Sequence, residues 1–491
     1  MAAPIILAID QGTTNTKALL VDPAGAIVAQ AARPMTLHHP REGWAEQSAE
    51  TIWDSVAAVI AEVAATPPGS DIAAIAISNQ RETIVLWEAA SGRPVAPAIS
   101  WQCRRSSDRC AALREAGHAG RIRALTGLDL DPLFPAGKLG WLLDTVDRGR
   151  ARAAAGELRA GTIDSWLLWK LTGGAVHATD PGNAARTQLF DLGGLRWDGE
   201  LAAFFGVPIA ILPDVRASDS RFGETAAGAC ALPAGVPVQA MMGDSHAALF
   251  AYGTAAPDHM KVTIGTGSSV MAPCPAALVS RHGLSRTIGW GRDGTVLYAL
   301  EGNITVSGQA AAFMAGLLGL EDVAALAALA ESVPDSGGVT FVPALAGLGA
   351  PHWRDRARGL LSGLSLGTRP AHLARAAMDA IAFQIGDVVA AMEADLGRTA
   401  ARLLVDGGAS RNDRLLQRIA DVTGRSLQRN PQPEASALGV ARMAAGAIGL
   451  APPPPPPPSP EDLFAPLADP AGIAASRAAW RDAIDRATLR T

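Results

Sequence analysis

The sequence predicts a duplicated α/β protein built on mixed sheets, and three observations carry that reading. At 491 residues, 48% of them hydrophobic, the chain can bury more than one core; domains usually hold roughly 100–200 residues. Its N-terminal region reads as three hairpin-linked strands, a helix and a further strand. Around Gly243 a similar order of elements starts again.

IILAID (5–10) and TKALLVD (16–22) are buried-strand patterns, and the turn signal DPAG (22–25) leads into a third strand, AIVAQAA. SAETIWDSVAAVIAEVAA (48–65) reads as a helix. Ser48 occupies an N-cap position, and Ile52, Val56, Val59, Ile60 and Val63 follow helical spacing. IAAIAISN (72–79) is another buried strand. In the second half, VPVQAMMGD (236–244) is a strand, and HMKVTIGTGSSVMAP (259–273) is strand, Gly-Thr-Gly turn, strand. VLYALEG is a further strand, with a helical segment after Val306. ARLLVDGGASRNDRLLQRIADVTG (401–424) is a strand, a Gly-Gly turn and a helix with Leu415, Leu416, Ile419 and Val422 on one face. APPPPPPPSP (451–460) is a polyproline II spacer, read as a stiff linker rather than an SH3-like ligand. The last segment, AASRAAWRDAIDRATL, is a helix expected to dock back. The expected domains are 1–248 and 249–491, with the proline spacer at 452–460.

A formal net charge of −5 without any Lys/Arg block argues against nucleic acid as a partner. Cys103, Cys110, Cys230 and Cys274 lack CxxC spacing and read as reduced thiols. No apolar stretch reaches the ~20 residues that span a bilayer, and the N-terminus lacks a basic leader. The expectation is a cytoplasmic protein without membrane partners. His38 and His39 have no metal-ligand company.

The turns carry the chemistry. Gly12-Thr13-Thr14 offers backbone N–H groups and two hydroxyls in a concave tip, which suits phosphate oxygens. Asp10, at the strand end, suits the water shell of Mg²⁺, which typically takes one or two carboxylates. Gly265-Thr266-Gly267 repeats the device, and Gly407-Gly408 ahead of a helix N-terminus is a third close-approach point. There is no GxxxxGK[ST], strand-linked GxGxxG or HExxH motif to suggest another nucleotide or metal chemistry.

DQGTTNTK, GWAEQSAETIW, ISNQRETIVLWE, AISWQCRR, GLDLDPLFPAGKLGWLLD, GTIDSWLLWKLTGG and MMGDSHAALFAYG resemble the FGGY carbohydrate kinases, and within them are most similar to glycerol kinase. TIGTGSSVM, GAPHWRDRARG and VDGGASRNDRLLQRIAD continue the resemblance, which covers essentially the whole chain except the proline tract. It implies two actin-like, ribonuclease-H-like domains with the active site in the interdomain cleft, whose closure excludes water. It also implies ATP and Mg²⁺ as cofactors and homo-oligomers, dimers or tetramers. Asp10 and Asp244 would serve the metal, and Gly12, Thr13 and Thr14 the phosphates. Thr266 and Gly267 would hold phosphates from the other domain, Gly407, Gly408 and Asn412 would border the adenine nucleotide, and Gly308 would also bind the cofactor. Asp244, in GDSHAAL, matches the family's catalytic base. A strand-end carboxylate independently suits a group that takes the acceptor's proton during phosphoryl transfer.

Arg81 and Glu82 in NQRET match the pair that hydrogen-bonds acceptor hydroxyls, and Trp101 matches an aromatic pocket wall. Three positions depart from the glycerol kinase pattern. Leu133 stands where the family has Tyr, Ser245 where it has Gln, and Ser269 where it has Phe, the last being expected to make the pocket larger and wetter. A fourth, Ala312, falls where a nucleotide-flanking Gln is expected. Loss of a hydroxyl partner can change the substrate, because a site built to bond a hydroxyl discriminates by ~10⁴–10⁵. The expected acceptor is therefore a small polyol or sugar larger than glycerol, with glycerol kinase proper as the alternative. His246 is either an acceptor neighbour or a packed first-turn histidine. Two other classes are weighed: an ATP-driven chaperone or filament protein, and a catalytically silent sugar- or nucleotide-binding regulator. NQRET, SWQCRR and GDSHAAL argue against the first, and retention of Asp10, Thr14, Asp244 and Thr266 against the second.

Overall fold

A computed structural model describes residues 4–252, 258–354, 356–430, 432, 434–451 and 458–489. Most of the proline spacer, 452–457, lies outside the described residues. Two units divide the chain: Met1–Thr254 with Arg286–Tyr298 and Glu434–Pro455, and Ala255–Ser285 with Ala299–Pro433 and Pro456–Thr491.

In the first unit, Ile5–Gln11 pairs antiparallel with Asn15–Val21, which pairs antiparallel with Ile27–Pro34. Ile72–Asn79 joins the other side of the first strand in parallel, and Pro237–Gly243 joins it in parallel in turn. Read across the sheet, these five strands run third, second, first, fourth, fifth in chain order. Helix Ala49–Ala64 covers one face through Ile52, Val56, Val59, Ile60 and Val63, all buried against Leu7, Ile9, Leu20 and Ile75. Ser48 Oγ accepts from Thr51 N at 3.1 Å and caps it. Helix Ala435–Ala447 lies on helix Asp244–Ala251 with no room to spare. A Cβ at Gly439 would stand 1.8 Å from the Ala247 carbonyl oxygen. A second sheet, formed by Glu46–Gln47, Ala98–Ile99, Ile84–Glu88 and Leu158–Thr162, has its own core around Leu86, Leu139 and Phe205.

The second unit repeats the pattern. His259–Ile264 pairs antiparallel with Ser268–Pro273, which pairs antiparallel with residues 299–304 of the strand Thr295–Ile304. Arg402–Asp406 and then Leu427–Arg429 add in parallel on the other side. Again the order is third, second, first, fourth, fifth. The 27-residue helix Pro370–Leu396 supplies much of the core. The last helix, Pro470–Thr488, docks back as expected, with Trp480 Nε1 donating to Asp387 Oδ2 at 2.7 Å and its ring stacked on Phe383. The duplication of a mixed-sheet α/β domain is thus present strand by strand.

Candidate active site

Three parallel strands of the first unit end at one level, since Gln11 is paired with Asn79 and Asn79 with Gly243. In open α/β sheets ligands gather outside the carboxyl ends of such strands. Asp10, the Gln80–Thr83 turn and Asp244 all lie at these ends.

The Gly12-Thr13-Thr14 turn closes with Gly12 N donating to Asn15 O at 2.9 Å. It is tied down by glutamines. Gln80 Nε2 donates to Gln11 Oε1 at 3.0 Å and to Gln47 Oε1 at 2.9 Å, while Gln47 Nε2 donates to Thr13 O at 2.9 Å. Trp101 Nε1 donates to Thr13 Oγ1 at 2.9 Å, which joins the aromatic residue to the Gly-Thr-Thr turn. Asp10 accepts from Ser78 Oγ at 2.9 Å and is paired across the hairpin with Lys17. Lys17 Nζ in turn meets both oxygens of Glu434, at 2.8 and 2.7 Å. Desolvation, followed by the Asp244 charge, raises the Asp10 carboxyl to about 6, against the opposing pull of Ser78 and Lys17. Two carboxylates close enough to repel suit a divalent cation, whose charge would relieve that repulsion.

Arg81 is almost enclosed, and its guanidinium meets three consecutive residues. Nε lies 3.3 Å from Asp244 Oδ1, Nη2 donates to Ser245 Oγ at 3.2 Å, and Nη1 is 3.3 Å from His246 Nε2. Gly243 makes the passage possible, since a Cβ there would stand 2.5 Å from Arg81 Cγ and Cδ. His246 is buried and packs against Arg81. Asp244 begins its helix, where the backbone dipole favours a carboxylate, and its side chain keeps 37% exposure. Glu82 takes a left-handed backbone conformation, φ 62°, and accepts from Arg186 Nε at 2.6 Å. Leu133 is buried, its N–H bonded to Asp131 Oδ1 at 2.8 Å.

In the second unit the glycines converge on one turn. Gly308 N donates to Gly265 O at 3.0 Å, and a Cβ on Gly308 would come within 2.4 Å of that oxygen. Gly407, at φ 93°, passes close enough to Ile264 that a Cβ would meet its carbonyl oxygen at 2.5 Å. Thr266 and Gly267 form the tip between them. Gly408 starts a short 3₁₀ turn, and Asn412 caps helix Asp413–Thr423, with Oδ1 accepting from Leu415 N at 2.9 Å. Asn412 also lines a cavity of about 170 Å³ with Asp379 and Arg418. Ser269 does not open space of its own: it is buried, and its hydroxyl donates to Glu301 Oε1 at 2.8 Å.

Gln11, Gln47, Gln80, Lys17, Glu434 and Arg186 escaped sequence reasoning. Their partners lie far off in the chain, so spacing carries no trace of them. The motifs DQGTTNTK, GWAEQ and NQRET flagged the surroundings of Gln11, Lys17, Gln47 and Gln80.

The comparisons agree with this architecture. The N-terminal domain of the FGGY family of carbohydrate kinases matches residues 5–251, and its C-terminal domain matches residues 260–448. The chain belongs to the FGGY family of carbohydrate kinases. It is therefore a phosphotransferase that acts on an alcohol group. It is 44% identical to an apulose kinase of Pectobacterium atrosepticum, over 100% of this chain and 99% of that one. It is 46% identical to a glycerol kinase of Aromatoleum aromaticum, over 98% of both chains. Among solved structures, Plasmodium falciparum glycerol kinase with ADP superposes at a TM-score of 0.88, with 26% identity over 100% of this chain and 99% of that chain. The two units thus follow the actin-like, ribonuclease-H-like ATPase pattern. No helix among the described residues is long and apolar enough to cross a membrane.

Proposed function

We propose that this kinase moves the γ-phosphoryl group of ATP to a hydroxyl of a small polyol or ketose, with Asp244 as general base. The observation that carries the reading is the Asp244 corner: a part-exposed carboxylate at a helix N-terminus, held 3.3 Å from Arg81 Nε. Asp244 takes the hydroxyl proton as the oxygen attacks, a role worth typically 10²–10⁴-fold. Arg81 and Glu82 orient acceptor hydroxyls, and Trp101 and Leu133 form apolar surface beside them. The N–H groups and hydroxyls of Gly12, Thr13 and Thr14 suit phosphate oxygens, as do those of Thr266 and Gly267. Gly308, Gly407 and Gly408 let backbone approach the nucleotide, with Asn412 nearby in sequence. Asp10 and Asp244 would hold Mg²⁺, which when bound supplies neutralisation of phosphate charge.

Leu133, in place of a hydroxyl-bearing side chain, favours an acceptor larger than glycerol, and one relative at 44% identity is named for apulose. The 46% identity to a glycerol kinase favours glycerol as the second reading. We place the protein in the cytoplasm, where its four cysteines, none of them in a disulfide, would stay reduced. The test is ADP release from Mg-ATP with glycerol, erythritol, the pentitols, ribulose, xylulose and apulose. Strong turnover of a four- or five-carbon acceptor supports the reading. Turnover of glycerol alone replaces it by the second, and no stimulation by any acceptor overturns both.

A further inference from the structure

Arg186 follows the short helix Pro181–Ala185, and its side chain has no exposed surface. An enclosed cation is costly unless it is paired. This one is paired with Glu82, Nε to Oε1 at 2.6 Å, and its guanidinium lies 5.1 Å from the centre of the Phe134 ring. Glu82 needs such an anchor. Its φ of 62° is a left-handed conformation that a non-glycine residue keeps only where its surroundings hold it.

Phe134 belongs to the same loop as Leu133. That loop and the helix Pro135–Thr145 that follows it are stitched to the residues beside Arg186: Ala136 N donates to Thr187 O at 2.9 Å, and Gln188 Nε2 donates to Asp129 O at 2.6 Å. From beneath, the fully buried Lys138 donates from Nζ to Leu133 O at 2.7 Å. One guanidinium therefore touches both the acid that would read acceptor hydroxyls and the loop that presents Leu133. A lysine could pair with Glu82 but could not offer a planar face to Phe134 at the same time.

We propose that Arg186 is a positioning residue for acceptor recognition, locking the Glu82 carboxylate and the Leu133 loop into a single rigid frame. The inference rests on the reading of Arg81 and Glu82 as acceptor contacts. It makes the polar corner and the apolar wall of that site move together, so acceptor preference depends on a side chain that never meets the acceptor.

A double-mutant cycle tests it, with glycerol and D-xylulose as probe acceptors and ATP varied separately. Glu82→Gln and Arg186→Met should each lower kcat/KM for the acceptor by on the order of 10²-fold, the scale of a small misplacement, while KM for ATP moves by less than about twofold. The double variant should be little worse than the poorer single one, and Arg186→Lys should recover part of the loss. If the two losses multiply instead, or Arg186→Met leaves acceptor kcat/KM unchanged, the proposal is overturned while the acceptor site stands. If Glu82→Gln itself leaves acceptor kcat/KM unchanged, the acceptor-site reading falls, and this inference with it. Should Arg186→Met fail to fold by circular dichroism, the cycle of Arg186→Lys with Glu82→Gln gives the same comparison.

Discussion

Arg81 reaches Asp244 across the ends of two parallel strands, Nε to Oδ1 at 3.3 Å, and it does so over a glycine. A Cβ at Gly243 would meet the Arg81 side chain at 2.5 Å. Gly243→Ala should therefore displace the guanidinium rather than unfold the protein, at a cost of about 1–3 kcal/mol for overpacking. Acceptor KM should rise by at least about tenfold, with KM for ATP nearly unchanged. Steady-state kinetics with each substrate varied in turn check this. An equal rise in both constants would mean that the Arg81–Asp244 contact does not serve the acceptor.

Lys261 and Asp406 form a buried ion pair between parallel strands, Nζ to Oδ2 at 3.5 Å, just before the Gly265–Gly267 turn and Gly407. Removing one partner leaves an enclosed charge behind, which costs about 3–5 kcal/mol. Lys261→Met should lower stability by that amount in urea unfolding, and Lys261→Met with Asp406→Leu should recover much of it. A loss under about 1 kcal/mol in the single variant would show that the pair is not a structural anchor.

His177 gives a pH dependence of known sign. Its ring packs edge-on against Trp87, Nε2 bonds to the Ala160 carbonyl at 3.0 Å, and burial lowers its pKa to about 4. Above the unfolded value of 6.5 both states are neutral; below it the unfolded chain binds a proton that the folded one refuses. Stability from this residue is thus lost as the pH falls from 6.5 through about 4, at most about 1.4 kcal/mol per pH unit. His177→Gln should flatten the pH profile of the urea midpoint across that window. An unchanged profile would move the proton uptake to other groups.

In the proposed function Leu133 bears on acceptor choice. It is buried in the loop braced by Lys138 and by the contact of Arg186 with Phe134. Leu133→Tyr restores a hydroxyl and fills space, so the ratio of kcat/KM for glycerol to that for xylulose should rise by about tenfold or more. Competition assays with both acceptors measure that ratio directly. No change would take Leu133 out of the specificity account.

What was legible in the sequence was local. The hairpin at Asp10–Lys17, the helix Ala49–Ala64 with its Ser48 cap, the Gly-Thr-Gly turn and the amphipathic helix Asp413–Thr423 all follow from short-range periodicity and turn chemistry. The bonds that brace the site are long-range. Lys17 and Glu434 are 417 residues apart, Glu82 and Arg186 are 104 apart, and Gln11 and Gln80 are 69 apart. Ser269 shows the same limit. As a serine in place of a larger side chain it suggested open, wet space, yet its hydroxyl is spent on Glu301, a partner on the neighbouring strand.

Asp244 is the proposed proton acceptor, and one variant addresses that role directly. Asp244→Asn should bind ATP in the absence of Mg²⁺ with a Kd within about threefold of the parent chain while its kcat for the best acceptor falls by about 10²–10⁴-fold, the range of a lost general base. A variant that binds ATP normally and keeps full kcat would contradict the account and remove Asp244 from the chemistry.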